Sequence, residues 1–336
     1  MPRPGATRSL LLLLALGTAL VVWTRQPAPT TGPLVRITIP QGAAFRVVAD
    51  ALAVHGLIGS PLWFRALARL RGVDRRVQAG VYDVPAGVSS WRVLSIMQDG
   101  KVALVRLTVP EGLTVLELAE LAQSRLGIPG DSLKALARDT GFVRSLGIEA
   151  PELEGYLLPE TYSLPLPVTA ADLLRAMVTE FNRRWVPGWD RRLDTLGLTR
   201  NQLVTLASIV EGEARHDDER GTIAGVYLNR LRRGIALQAD PTVQYALQLA
   251  TGERKTRLLF KDLEIQSRYN TYLHSGLPPG PVNSPGVRSL EAALYPATVP
   301  WLYFVAGPDG YHIFSRTLEE HNRAIAAVRH DRPRGR

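Results

Sequence analysis

A duplicated segment constrains the fold of this chain more than any other feature. Val35-Arg36-Ile37-Thr38-Ile39-Pro40-Gln41-Gly42 recurs as Val105-Arg106-Leu107-Thr108-Val109-Pro110-Glu111-Gly112. Each copy alternates apolar and polar residues, breaks at Pro-x-Gly, and leads into a helical pattern, Phe45 to Ala53 in the first and Val115 to Leu126 in the second. A second block repeats as well: Tyr82-Asp83-Val84-Pro85 with Val88, Leu94 and Met97 is echoed by Tyr162-Ser163-Leu164-Pro165 with Val168, Leu174 and Met177. The offset between the copies grows from 70 to 80 residues, so the second carries about ten extra residues before its tyrosine. Strand-turn-helix units can converge on Pro-x-Gly punctuation, but eight consecutive matched positions and a second matched block favour duplication. Two strand-helix-helix-strand-helix units are expected, over 34–100 and 104–182.

The amino terminus predicts a different environment for the first residues. Arg3 and Arg8 precede an apolar stretch from Leu10 to Trp23, interrupted only by Gly17 and Thr18, and Arg25 follows in a Pro/Thr-rich tether. A cleaved signal peptide is the alternative to a membrane anchor here. No small-x-small cleavage site follows the run and Trp23 suits an interface, so an uncleaved anchor is expected. Two arginines before the run and one after place residues 1–9 in the cytoplasm, the anchor at 10–23, a linker at 24–33 and the rest outside. The net charge of +9 is spread along the chain without a Lys/Arg-rich run or a nucleic-acid-binding module, so no nucleic-acid partner is expected. Without cysteine, thiolate metal sites, disulfides and cysteine nucleophiles are excluded.

Beyond Trp185 the repeat pattern stops. Thr199 and Gln202 form a capping box for a helix from Arg200 to about Ala214. Asp217 or Asp218 could cap a second helix ended by Gly234, and Asp240-Pro241 reads as cap and first residue of a third reaching about Leu249. Tyr269 to Gly286 holds too many Gly and Pro residues for regular structure, and a long ordered loop is usually functional. A helix over Val287 to Leu294, a hairpin from Leu302 to Ser315 and a Thr317-capped helix to about Arg329 complete the chain.

Two acids end the apolar run Leu203-Val204-Thr205-Leu206-Ala207-Ser208-Ile209-Val210. Glu211 shares a helical face with Val204, Ala207 and Ser208, and Glu213 lies near Leu206, Ile209 and Val210. A carboxyl held against apolar surface has its charged form disfavoured and can carry a proton near neutral pH, which is the property of a general acid. Both faces are apolar, so periodicity leaves the choice between the two open. The bland reading makes them the polar end of a core helix with Arg215 as ion partner. His312 and His321 read as structural, and no metal site is expected, because no carboxylate lies at ligand spacing.

Five motifs in order then carry a resemblance: Leu206-Ala207-Ser208-Ile209-Val210-Glu211-Gly212-Glu213, Tyr227-Leu228-Asn229-Arg230-Leu231, Leu237-Gln238-Ala239-Asp240-Pro241-Thr242-Val243, Tyr269-Asn270-Thr271-Tyr272, and Gly276-Leu277-Pro278-Pro279-Gly280-Pro281. They resemble the endolytic murein transglycosylases of the MltG/YceG-like family, and Leu153 to Tyr162 is similar to an earlier signature, with Glu160 where aspartate is the commoner residue. The resemblance implies an inner-membrane protein that cuts nascent peptidoglycan strands between MurNAc and GlcNAc and leaves 1,6-anhydro-MurNAc ends. Synthases or division proteins would be its partners, and no cofactor is implied. By motif position the catalytic glutamate falls on Glu211. Substrate-binding or supporting roles fall on Glu160, Glu213, Gln238, Asp240, Tyr269, Asn270 and Tyr272, with Asp240 expected mainly as a helix cap.

The expected architecture is α+β: a single transmembrane helix, duplicated LysM-like βααβ units, and a mixed α/β catalytic domain. The LysM-like resemblance rests on the order of elements in the first unit, 34–103. The second unit is 104–185, the catalytic domain 186–330 and the tail 331–336. A noncatalytic peptidoglycan-binding scaffold is the competing reading. A pyridoxal-phosphate lyase is argued against, because none of the four lysines (Lys101, Lys134, Lys255, Lys261) lies in a cofactor-like motif.

Overall fold

A computed structural model describes residues 33–331, preceded only by isolated positions at Ala15, Gly17, Thr18 and Val22. Apart from those positions and residue 33, the expected cytoplasmic tail, anchor and linker, and the tail after 331, lie outside the described residues. Among the described residues no helix is long and apolar enough to cross a membrane. The fold is mixed α+β, with three two-stranded sheets pairing β1 with β2, β3 with β4 and β5 with β6.

The chain divides into two compact units, one of Met1–Arg106 with Ser163–Val168 and the other of Leu107–Tyr162 with Thr169–Arg336. In the first, β1 (Leu34–Ile39) pairs antiparallel with β2 (Gly80–Pro85), Ile37 opposite Tyr82 and Arg36 opposite Asp83. The alternation seen in the sequence is the cause: Ile37 and Ile39 point into the core while Arg36 reaches across the exposed face to Asp83, 2.8 Å away. Helices α1 (Phe45–Val54), α2 (Pro61–Leu70) and α3 (Ser90–Gln98) supply Val48, Leu52, Phe64, Leu94 and Met97 to the same core.

The second copy begins at β3 (Leu104–Thr108) and continues through α4 (Val115–Leu126), α5 (Gly130–Ala137) and α6 (Thr140–Ser145) to β4 (Thr161–Pro165) and α7 (Ala170–Arg184). Its order matches the first, with α6 and the irregular stretch before β4 as the insertion. Gly42 and Gly112, at the same place in the two turns, have φ of +73° and +74°. Residues with a Cβ rarely adopt that region, which explains the repeated glycine.

Helix α8 (Pro187–Leu196) leads to α9 (Arg200–Glu213), whose residues Leu203 to Val210 are all buried. Around α9 pack α8, α10 (Arg220–Arg232), α11 (Asp240–Thr251) and α12 (Val287–Leu294). The hairpin β5 (Tyr303–Ala306) and β6 (His312–Ser315) and the helix α13 (Leu318–Asp331) finish the unit.

Two cap expectations differ from the structure. Asp217 to Glu219 form a 3-10 turn rather than a cap, and α10 starts at Arg220 with no side-chain cap bond. Asp240 is the first residue inside α11, behind Ala239, and its carboxylate caps nothing. Pro241 beside it fixes the second position, where the missing N–H costs no helical bond.

Candidate active site

The site is built on the last turn of α9. Thr199 and Gln202 close the capping box at its start, with Gln202 N–H donating to Thr199 Oγ1 at 3.2 Å and Thr199 N–H to Gln202 Oε1 at 2.8 Å. Eight buried residues then hold the helix in register, so its end points in a fixed direction. The loop before α12 is tied to this helix through Ser208, whose hydroxyl accepts from Val282 N–H at 3.0 Å and whose carbonyl accepts from Asn283 Nδ2 at 2.9 Å.

Glu211 continues that tie. Its side chain is 7% exposed, its Oε2 accepts from Gly286 N–H at 3.0 Å, and its Oε1 is 3.1 Å from Arg220 Nη1. Arg220 also donates to Ser289 Oγ at 2.5 Å and to Asp217 Oδ1 at 3.1 Å. Glu111, in the second Pro-x-Gly turn, lies 3.9 Å from Arg220, and burial with the nearby charge of Glu211 pushes its carboxyl upward. Glu211 therefore sits in an ion-pair network rather than against apolar surface. The 3-10 turn at Asp217–Glu219 brings Arg220, not Arg215, into contact with it.

Glu213 occupies the other environment. Two positions on, a helix has turned by about 200°, so the two carboxyls cannot serve one face. Burial pushes the Glu213 carboxyl up to about 7 against the lowering effect of the Tyr227 hydroxyl, which donates to Oε1 at 2.8 Å. A cavity of about 370 Å³ opens beside it, lined among others by Tyr227, Arg230, Gln238, Asp240 and Tyr272. A depression of about 760 Å³ around Arg144 and Glu149 is larger, but it holds none of the motif residues.

Three of the expected binding residues meet in the smaller cavity. Gln238 is the one non-glycine residue with positive φ among those described, at +50°, a strained backbone of the kind that clusters at functional sites. Its amide oxygen is 3.4 Å from Arg230 Nη1, and its N–H donates to Thr271 O at 3.1 Å. Tyr272 donates its hydroxyl to Asp240 Oδ1 at 2.6 Å, so Asp240 faces the cavity rather than the helix end.

The other expected residues lie elsewhere. Asn270 is wholly buried, and its amide closes its own loop by donating to Leu263 O at 2.8 Å and Ile265 O at 2.9 Å. Tyr269 packs edge-on against Tyr245 with ring centres 4.9 Å apart, away from the cavity lining. Glu160 is 47% exposed and pairs with Arg184 at 3.5 Å, so its carboxylate does not support Glu211. The ordered motifs marked these residues without separating those that shape the loop from those that face the cavity.

Two features escaped the sequence. Glu154 is 2% exposed, accepts from Val115 N–H at 3.1 Å and from Tyr245 Oη at 3.2 Å, and leaves Oε1 with no partner. Burial raises its carboxyl to about 8. His312 and Glu219, 93 positions apart, form a buried pair at 2.9 Å, which no local spacing announces. Among the described residues no group of three or more acids and histidines is arranged to hold a metal ion.

The model of the YceG-like family matches residues 37–327. The chain is 34% identical over 306 residues to an endolytic murein transglycosylase of Bacillus subtilis (strain 168), covering 86% of this chain and 83% of that protein. It is 30% identical over 320 residues to an endolytic murein transglycosylase of Streptococcus pneumoniae serotype 2 (strain D39), covering 87% of this chain and 58% of the longer relative. A crystal structure of a YceG-like protein from Listeria monocytogenes superimposes with a TM-score of 0.59 at 32% identity, over 86% of this chain and 98% of that one.

Proposed function

The chain belongs to the YceG-like family and is a lytic transglycosylase acting on peptidoglycan, and on that premise we propose that Glu211 is its acid/base residue. One observation supports the assignment: Glu211 stands in the motif Leu206 to Glu213, within the stretch that the family model matches, and its nearly buried carboxyl is held by Gly286 N–H of the loop before α12 and by Arg220, which also meets Glu111. Glu213 has a supporting role, lining the neighbouring cavity with Gln238, Asp240 and Tyr272.

The reaction is cleavage between MurNAc and GlcNAc within a glycan strand. Hydrolytic glycosidases normally need two carboxylates, because water must be activated or a covalent intermediate formed. Here the sugar's C6 hydroxyl attacks its own anomeric carbon. The C1–O4 bond breaks as Glu211 protonates O4, the C1–O6 bond forms, and the Glu211 carboxylate takes the proton that leaves O6. A single carboxyl suffices in principle, and holding the internal nucleophile close supplies much of the remaining acceleration. Tyr272 and Gln238 offer hydroxyl and amide groups to the N-acetyl sugars.

The apolar run Leu10 to Trp23 supports anchoring in the bacterial inner membrane with the bulk outside, where nascent strands are made. The element order of the first unit supports a LysM-like peptidoglycan-binding role for it, and of the second copy a related role. Peptidoglycan synthases and division proteins are the expected neighbours. The test is a Glu211→Gln variant given intact glycan strands: release of anhydro-ended fragments falls by about 10² to 10⁴. Release at the parent's rate would overturn the assignment.

A further inference from the structure

The second Pro-x-Gly turn carries an acid that the turn itself does not need. The first copy has Gln41 where the second has Glu111, and the glycines that follow, Gly42 and Gly112, share one backbone conformation. The second turn is bound into the loop before α12: Gly112 N–H donates to Ser284 O at 2.9 Å, and Ser284 N–H to Leu113 O at 2.8 Å. This brings Glu111 against Gly286, where an added Cβ would collide with the Glu111 carboxyl, and Gly286 is the residue whose N–H holds Glu211. Both acids then meet one cation. The nearly buried Arg220 is 3.1 Å from Glu211 Oε1 and 3.9 Å from Glu111 Oε2. Charges on the surrounding elements do not make up the difference. Asp217, in the 3-10 turn, also contacts Arg220 at 3.1 Å and is met from α12 by Arg288. Arg254 reaches the turn at Gly112 O, 2.8 Å away, but Glu117 answers its charge at 3.4 Å. Four carboxyls (Glu111, Glu211, Asp217, Glu117) thus face three guanidiniums (Arg220, Arg288, Arg254), and a cluster so composed is neutral only when it holds one proton.

We propose that Glu111 is a positioning residue for the acid/base step: by sharing Arg220 with Glu211 it keeps one proton on the pair, so that Glu211 enters the reaction able to donate to O4. The proposal rests on the reading of Glu211 as the acid/base residue. An arginine acting alone favours the bare carboxylate, and a bare carboxylate cannot protonate a leaving oxygen. A second acid on the same arginine opposes that. Burial, with the nearby charge of Glu211, already pushes the Glu111 carboxyl upward. Two acids coupled in this way titrate as a pair, and the proton belongs to both. Glu211 gives its proton to O4 as C1–O4 breaks and regains one from O6 as C1–O6 forms, so the pair ends the reaction as it began.

A glutamate that only shapes its turn and one that holds a proton differ in how cutting depends on pH. The experiment measures kcat/KM for release of anhydro-ended fragments from intact glycan strands between about pH 5 and 9, for the full chain and its Glu111→Gln variant, with folding monitored by circular dichroism. Glutamine is what the first copy carries in this turn, so the variant is expected to fold. Losing one carboxylate removes the need for the extra proton. The alkaline fall in rate should therefore begin about one pH unit lower, a loss of about tenfold beyond that limb, with rates converging on the parent's at the acid end. Gly286→Ala pushes the Glu111 carboxyl aside without changing any charge, and it keeps the test open should the first variant fold poorly; it must move the limb the same way by less. A limb that stays at the parent's pH in the folded variants, whatever the rate, or that moves upward, overturns the proposal. Glu211→Gln run alongside separates the two claims. Cutting at the parent's rate in that variant brings down the reading of Glu211 and this inference with it, whereas an inactive Glu211→Gln with an unmoved limb in Glu111→Gln brings down this inference alone.

Discussion

At the scale of single residues, the last turn of α9 separates two carboxyls with different work. Glu211 binds an arginine and a backbone N–H, whereas Glu213 is desolvated beside a cavity. Sequence periodicity places both on apolar faces, and it stops there because Arg220 approaches only through the 3-10 turn that follows. Arg220→Ala would strand Glu211 as a buried carboxylate without its countercharge, so unfolding by denaturant should show a loss of about 3–5 kcal/mol. Asn270 teaches the same limit in the other direction. Its amide satisfies two carbonyls of its own loop, a use that no residue-type argument distinguishes from gripping an acetamido group. His312 and Glu219 were invisible as a pair because their meeting depends on the hairpin folding back over α10.

At the scale of elements, the sequence was legible wherever local chemistry decides. The capping boxes at Thr199 and Thr317, the helix Val287–Leu294, and the two Pro-x-Gly turns stand where alternation, caps and glycine placed them. Asp240 misled because Asp before Pro suits both the cap and the first helical turn, and its tertiary partner Tyr272 decided between them. Helix α10 contains a glycine that local rules disfavour. A Cβ at Gly225 would collide with the carbonyl oxygen of Ala297 and lie 2.9 Å from Val299 Cγ2. Alanine usually stabilises a helix interior by about 0.5–1 kcal/mol over glycine. Here Gly225→Ala should instead destabilise by about 1–3 kcal/mol, read as a lower thermal midpoint, because backbone cannot move aside as a side chain can.

At the scale of the whole molecule, duplication explains why two similar strand-turn-helix units precede the glutamate helix, and why the second holds an acid, Glu111, in a turn where the first has Gln41. Stability of the folded chain should depend on pH through Glu154. Its carboxyl binds a proton up to a pH of about 8 in the fold but only to about 4.5 when unfolded, so the fold holds the extra proton between those values. Stability therefore falls as pH rises through that window and levels off above it, by up to a few kcal/mol. Glu154→Gln should flatten the dependence of the thermal midpoint on pH between 5 and 8. A chain lacking residues 1–33 should move from the membrane fraction to the soluble fraction while retaining activity on isolated strands. The most direct test compares Glu213→Gln and Glu211→Gln side by side on intact glycan strands, with anhydro-MurNAc ends counted by mass spectrometry. The account predicts near-complete loss in the second variant, and in the first a weaker effect with anhydro ends still formed. Loss confined to Glu213→Gln, with Glu211→Gln cutting at the parent's rate, would contradict it.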